Sequence, residues 1–571
     1  SIFIVFAAAF ITSCKKPVPA ATKHIPKNAV FVATINTGSM QSKLAKSQTS
    51  IQNILRSLSG NDTSATKGKQ EWEDLKTAGI ELDENIYFAI APKAASAGAI
   101  KSDLIISLIG SLESASKFEE YVKKKFTGSE IRKEKEYSYT TVEGNKIIAW
   151  GSEVVIAITN EQAGNPAMEY DSSTGAYNFK QPLNTAEDLK GEMANYFNIK
   201  EETSVAAIPQ FRDLMQDKSD ASFWVNSGAT MDGFSLPLPK LKELFSNNFT
   251  AATINFNEGK IAVESKSYYS NELRDLLKQY EAPNANLDLI ESFPSDNINA
   301  FAAFSFNPDF FNGLVKYMEV GGIVDGYLTK MMGTNYTLPE LLKAIKGEFA
   351  VVVADITMPA TDTTMGMNTQ PGTIPAAQVI VNIPVGDKNQ MNRLMNKLVE
   401  MQMMVKVQNE YRLVPSMQQT GWQAVVNDKN LILASSETLL TTYTARTKKA
   451  KLAADVVDDF KGKPGIVYAN IESILNSMPA NQNPATNSVL LKAKETFKDV
   501  KGYTKEFNGQ YLEGHMELRF KNEKENSLTS LLSFFETASK NARMNERKTD
   551  DEETITIDSS ARAKPVKLDS Y

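Results

Sequence analysis

A short apolar strand that ends in asparagine and runs directly into a helical pattern recurs along this chain, and that recurrence constrains the fold more than any single motif. Two copies are Ala29–Asn36 and Ala300–Asn307. Related versions are Ala221–Asn226 and Gly465–Asn470. Each reads as a buried strand. An asparagine at the exit suits cap or turn geometry, because its side-chain oxygen can accept from nearby backbone N–H groups.

The elements around these strands also repeat in order. A helical segment from Glu71 leads into a strand over Asn85–Ala91, and Leu338–Lys346 leads into Glu348–Ala354. Next come the strand Leu104–Leu108 with a helix over Ser114–Phe126, and the strand Gln378–Ile383 with a helix over Asp387–Met404. A hairpin at Gly144–Ala157 then overlays Gly421–Ala434 without a gap, with apolar positions 147–149 on 424–426 and 154–156 on 431–433. Each half closes with the Asn-terminated strand, a helix, a hairpin turning at Gly259 or Gly509, and a last helix. Seven elements in one order imply an internal duplication. The expected class is α+β, with two similar halves, residues 25–290 and 291–540, each a largely antiparallel sheet covered by helices.

Three segments fall outside this scheme. Residues 357–377, rich in Thr, Pro, Gly and Met, read as a long loop with a shorter counterpart at 92–102. Residues 160–200 read as a polar insertion. Residues 541–571 carry dense charge of both signs and read as a disordered tail.

The N-terminal end supplies an address. Ser1–Ile11 is an uncharged apolar stretch, about half the ~20 residues a spanning helix needs, and it runs into Ile11-Thr12-Ser13-Cys14. This is the pattern of a secretory signal ending in a lipobox. No basic segment precedes the apolar stretch, so the precursor is expected to begin upstream of Ser1. On this reading residues 1–13 are a signal peptide, Cys14 is the lipidation site, and residues 14–24, beginning Lys15-Lys16-Pro17, are a tether. Cys14 is the only cysteine. Lipidation would leave the mature chain without a thiol for disulfides, metal ligation or nucleophilic attack.

Little catalytic chemistry is signalled. The net charge of −6 is spread along the chain and gives no basic face for nucleic acid. The two histidines, His24 and His515, are far apart in sequence and belong to no HExxH-type spacing. His24 reads as linker and His515 as a sheet-surface residue. No G-x-S-x-G elbow is present. Lys67-Gly68-Lys69 lacks the leading glycine of a phosphate loop, since position 63 is Thr. Methionines 391, 395, 401, 403 and 404 read as core packing on and beyond a helix, or else as an adaptable apolar groove. No cofactor or metal is expected.

The opening His24-Ile25-Pro26-Lys27-Asn28-Ala29 through Ile35-Asn36 resembles the start of the mature domain in Bacteroidota lipoproteins of the domain of unknown function 4836 family. The middle segment Ile208–Met215, leading into Asp220–Asn226, is similar to that family as well. The resemblance spans residue 14 to about 540. It implies a cell-envelope location, with no activity and no functional residues to carry over. Lys15 and Lys16 stand where acidic residues tend to accompany surface export, so the expected site is the outer membrane facing the periplasm, with the cell surface as the alternative.

Together these readings point to a lipid-anchored, non-enzymatic binding or scaffolding protein. Its partners would be the membrane, through Cys14, and an envelope protein. A cleft between the halves, the 357–377 loop and the 160–200 insertion are candidate contact elements. A carrier or chaperone for an apolar ligand is the alternative. A carbohydrate-active enzyme with paired carboxylates is a further one.

Overall fold

The computed structural model describes residues 18–45, 74–93, 104–142, 146–160, 167–171, 176–180, 186–232, 239–333, 335–358, 376–418, 421–446, 448–480 and 483–553. Cys14 and most of the 357–377 loop lie outside them. The strands toward the N-terminus are β1 (Phe31–Asn36), β2 (Asn85–Pro92), β3 (Leu104–Ser111), β4 (Ile131–Lys133), β5 (Ser138–Val142), β6 (Lys146–Trp150), β7 (Val154–Asn160), a small separate hairpin of β8 (Ala167–Asp171) and β9 (Ala176–Lys180), β10 (Ala221–Asn226), β11 (Phe249–Asn257) and β12 (Lys260–Tyr268). They are followed by β13 (Ile298–Ser305), β14 (Glu348–Thr357), β15 (Ala376–Pro384), β16 (Met404–Val407), β17 (Glu410–Leu413), β18 (Gln423–Val426), β19 (Asn430–Ala434), β20 (Gly465–Ala469), β21 (Phe497–Thr504) and β22 (Tyr511–Phe520).

All but β8 and β9 join one antiparallel sheet whose middle is the pairing of β12 with β22. Outward from this seam, one side runs β12, β11, β10, β1, β2, β3, β7, β6, β5, β4. The other runs β22, β21, β20, β13, β14, β15, β19, β18, β17, β16. The order of elements is the same on both sides. The molecule is thus a mixed helix-and-strand protein built on a large antiparallel sheet.

One face of the sheet carries two apolar cores. In the first, Val32, Ala89, Trp224 and Ala251 lie in register across four strands. The helices Ala186–Asn198 and Pro209–Gln216 cover them with Leu189, Met193, Phe211 and Leu214. Trp224 stacks on Phe249 at 4.7 Å and meets Phe211 edge-on at 5.6 Å. Burying each such side chain is worth about 1.5–3 kcal/mol. In the second core, Phe301, Val352, Ile380 and Ile432 pack under the helices Glu437–Ala445 and Ala454–Phe460.

The strand-exit asparagines do what their chemistry suggests. Asn36 Oδ1 accepts from Ser39 N at 2.8 Å, Asn226 from Ala229 N at 3.0 Å, Asn307 from Asp309 N at 3.0 Å and Asn470 from Ser473 N at 2.9 Å. Each turns its strand into a helix by satisfying an N–H that the first helical turn cannot. The last helices then cross between the two sides of the seam. The helix Asn271–Gln279, after β12, packs on Asp309–Tyr317, after β13. The helix Ser527–Glu553, after β22, meets Thr37–Ala45, after β1.

Several expectations need correction. Residues 186–198 of the polar insertion form a core helix, whose apolar side, Leu189, Met193 and Tyr196, recurs at helical spacing. Residues 20–24 of the expected tether form a 3-10 turn with Ala21 and Thr22 buried, so the packed body begins earlier than residue 25. The final helix continues to Glu553, past the expected start of a disordered tail at 541; residues 554–571 lie outside the described ones. The gapless overlay of the two hairpins is off by one residue. Ala149 pairs with Ile156, and the core-facing pair across the other turn is Val425 with Ile432, an offset one short of the overlay. Three apolar residues in a row cannot fix which of them points inward.

Gly259 turns the β11–β12 hairpin with φ +66°, and a Cβ there would come within 2.6 Å of Glu523 Cα. Gly462 has φ +73° with no atom within 4 Å of a Cβ. Thermal melts should show Gly259→Ala destabilised by more than the roughly 1–2 kcal/mol of left-handed strain alone, and Gly462→Ala by about that amount.

Candidate functional site

The seam is where the two halves of the sheet meet, and side-chain alternation divides its chemistry between two faces. β12 and β22 pair from Lys260 opposite Arg519 to Tyr268 opposite Tyr511. Lys260, Glu264 and Lys266 with Arg519, Glu517, His515 and Glu513 point to the helix-covered face, between the two cores. Val263 and Ser265 with Met516 and Gly514 point to the other.

The charged face is a closed network. His515 joins the strands, with Nδ1 2.5 Å from Glu264 Oε1 and Nε2 3.3 Å from Glu517 Oε1, and its ring stacks on Tyr503 at 4.9 Å. Glu517 also holds Lys260 at 2.5 Å and Lys501 at 3.6 Å. Arg519 forks onto Asp499, donating from Nε and Nη2 at 2.6 Å each, and reaches Asp455 at 2.5 Å on a core helix. Lys501 pairs with Asp459 on the same helix. Clefts of about 600 Å³ and about 320 Å³ open beside this network.

The electrostatics follow from these bonds. The hydrogen bond from His515, together with Lys260 and Lys501, brings the Glu517 carboxyl down to about 2. Glu517 and Glu264 in turn raise His515 above its usual value, against a smaller opposing effect of burial. Arg519 holds Asp455 below the usual carboxylate range, and Lys505 does the same for Glu513. A glycosidase acid needs a carboxyl raised in pKa. The shifted carboxyls at this seam are all lowered.

The opposite face is apolar. From Phe223 on β10 to Phe304 on β13, one register row crosses the seam through Ala252, Ser265, Gly514, Thr504 and Gly465. The neighbouring row contributes Val263, Met516, Gly502 and Val467. The result is a trough of about 350 Å³ with a floor of small residues and walls of Phe, Val and Met. Phe304, Val467 and Met516 are 47%, 40% and 46% exposed. Helices cover this face away from the trough: Leu44 and Leu528 pack on Phe256 beside Ile254 and Ile261, and farther from the seam the helix Lys388–Glu400 packs with Val426 and Leu431 and the helix Ala115–Lys125 with Trp150, Ile148 and Val155.

The residues singled out in the sequence are dispersed. His24 is not linker: its ring lies 5.6 Å from Phe197, Nδ1 sits 3.1 Å from Tyr196 O, and desolvation lowers its pKa. Met391, Met395 and Met404 are core residues, whereas Met401 and Met403 are exposed. His515 does lie on the sheet, but as a link between halves. Sequence reading missed the seam because Glu264 and His515 are 251 residues apart. The available signal was the strict alternation of Leu512, Gly514, Met516 and Leu518 with Glu513, His515, Glu517 and Arg519. Among the described residues no group of His, Cys, Asp and Glu is placed to hold a metal ion, and no helix is long and apolar enough to cross a membrane.

A raised histidine pKa stabilises the fold fully below the unfolded value of 6.5 and is lost as pH rises through the folded value. The Glu517 contribution has the opposite sense: it is present above 4.5 and lost as pH falls toward about 2. Urea unfolding should therefore show the wild type losing stability as pH rises above about 6.5, and His515→Gln losing less over the same rise. Equal losses in both proteins would show that the histidine link contributes nothing.

No curated protein matches the chain. Among solved structures, crystal form III of TP0453 is similar over 46% of this chain and 86% of that one, at 10% identity and a TM-score of 0.24. Crystal form IV of TP0453 gives 44% and 81%, at 10% identity and 0.23. The model of one family, the domain of unknown function DUF4836, matches residues 22–528, nearly the whole of the packed body. The chain belongs to the DUF4836 family.

Proposed function

We propose that this chain is a lipid-anchored envelope protein that works by binding rather than by catalysis, with the seam as its binding surface. The observation that carries this reading is the exposed apolar trough across the seam, since contiguous apolar patches on a folded surface mark interaction sites. The carboxylates of the network support a non-enzymatic role, because Glu517, Asp459 and Asp455 are held by cations and Glu264 by His515. An enclosed carrier cavity is a weaker match, because the trough is open along its length.

The anchor rests on the lipobox-like run ending in Cys14. The family resemblance supports a Bacteroidota envelope lipoprotein, and Lys15 and Lys16 support an outer-membrane position facing the periplasm. We also read the two sides of the sheet as products of an internal duplication. Their common strand order and the pairing of β12 with β22, the last strand of each side, support it.

Labelling with a palmitate analogue should mark the wild-type protein and leave Cys14→Ala unlabelled and released into the soluble fraction. Membrane association that survives Cys14→Ala would refute the anchor. Pull-down of the lipidated protein from envelope fractions should recover a stable partner, and Met516→Lys should weaken its capture. Recovery of none would count against scaffolding.

A further inference from the structure

We infer that the trough binds one esterified acyl chain of a membrane lipid. This rests on the reading of the seam as a binding surface and names the ligand class of that surface.

Glycine weakens a strand interior, and where it stands there it often marks close approach of a ligand or another backbone. Here three glycines fall on adjacent strands of one face: Gly465, Gly502 and Gly514, on β20, β21 and β22. A Cβ at Gly465 would come within 2.6 Å of Thr504 Oγ1 and 3.2 Å of Phe304, and one at Gly514 within 2.6 Å of Ser265 Oγ, so the glycines first make room for the protein's own side chains; with Ala252 and Ser265 they keep the floor low between Phe223 and Phe304. At ~4.8 Å per strand, the six steps from β10 to β13 span roughly 29 Å. A narrow, elongated, apolar occupant matches that shape.

Charge and hydrogen bonding narrow the class further. On these strands the ionised side chains, Lys260, Glu264, Lys501, His515, Glu517 and Arg519, lie on the opposite face. The floor hydroxyl of Ser265 already donates to Gly514 O at 3.3 Å. A peptide strand laid on this face would bury its own N–H and C=O groups without partners, which is costly. A free fatty acid would bring a carboxylate to a surface that offers it no cation. A hydrocarbon chain needs neither partner, and an ester linkage leaves the charged headgroup in solvent. A second copy of the chain fits poorly, because two facing troughs would enclose a void instead of filling it. A cavity of ~150 Å³ holds one benzene, so a trough of about 350 Å³ takes a chain on the order of a dozen carbons.

The test is fluorescence titration of the full chain with a phosphatidylcholine carrying a pyrene-labelled acyl chain, alongside the same label on a free fatty acid and glycerophosphocholine as a headgroup control. The labelled phospholipid should bind saturably and the headgroup not at all. Val467→Lys and Met516→Lys change exposed walls, so circular dichroism should show both folded, and each should weaken phospholipid binding about tenfold or more. Ile323→Lys, on a helix outside the trough, should bind as the wild type does. Unchanged binding by both wall variants would overturn the assignment, as would the absence of saturable binding. Preference for the free fatty acid would overturn the esterified source. A protein partner captured through the trough, lost in Met516→Lys and without lipid binding, would overturn the acyl-chain assignment while leaving the binding reading standing. Failure of both experiments would remove both.

Discussion

The pairing of β12 with β22 is the contact on which the rest of the structure depends. It makes one sheet out of two sets of strands, and it joins residues some 250 positions apart in the chain. Closing so long a loop carries an entropic cost that grows only slowly with length. Here the cost is met by a nine-residue ladder, by the Glu264–His515–Glu517 link, and by the final helices, which pack across the two halves. Without this pairing, each set of strands would end in an exposed edge.

The seam also decides how polarity is distributed. The seam strands β12 and β22 lie in the strip of sheet between the two cores. On the helix-covered face that strip is charged, and its charges satisfy one another. On the opposite face the same strands present glycine and serine beside Val263, Leu512, Met516 and Leu518. A two-residue period allows one stretch of chain to carry both chemistries, and Leu512–Arg519 does so without interruption. The apolar face needs no polar partner, so it stays open without leaving an unsatisfied group.

Much of the fold was legible in the chain. The asparagine-terminated strands, the hairpin glycines at 259 and 509, and the helices near 115–125 and 388–400 all follow from local chemistry. The misreadings have separate physical causes. The insertion at 160–200 looked polar because a helix that covers a sheet shows only one apolar stripe, and Leu189, Met193 and Tyr196 are sparse in a linear reading. The hairpin overlay slipped by one because both faces of those strands are apolar. The 14–24 segment looked like a tether because its contacts, Tyr196 and Phe197 with His24, come from a distant helix.

The sequence by itself determined the α+β class, the order of strands and helices, the scarcity of histidine and cysteine, and the lipobox-like run at Cys14. These follow from local periodicity, cap chemistry and composition, which act over a few residues. Only the tertiary structure decided which strands pair at the seam, which face of each strand is covered, and that Glu264, His515 and Glu517 belong to one network. Each of those depends on register between segments far apart in the chain, and a shift of one residue in a strand exchanges its faces.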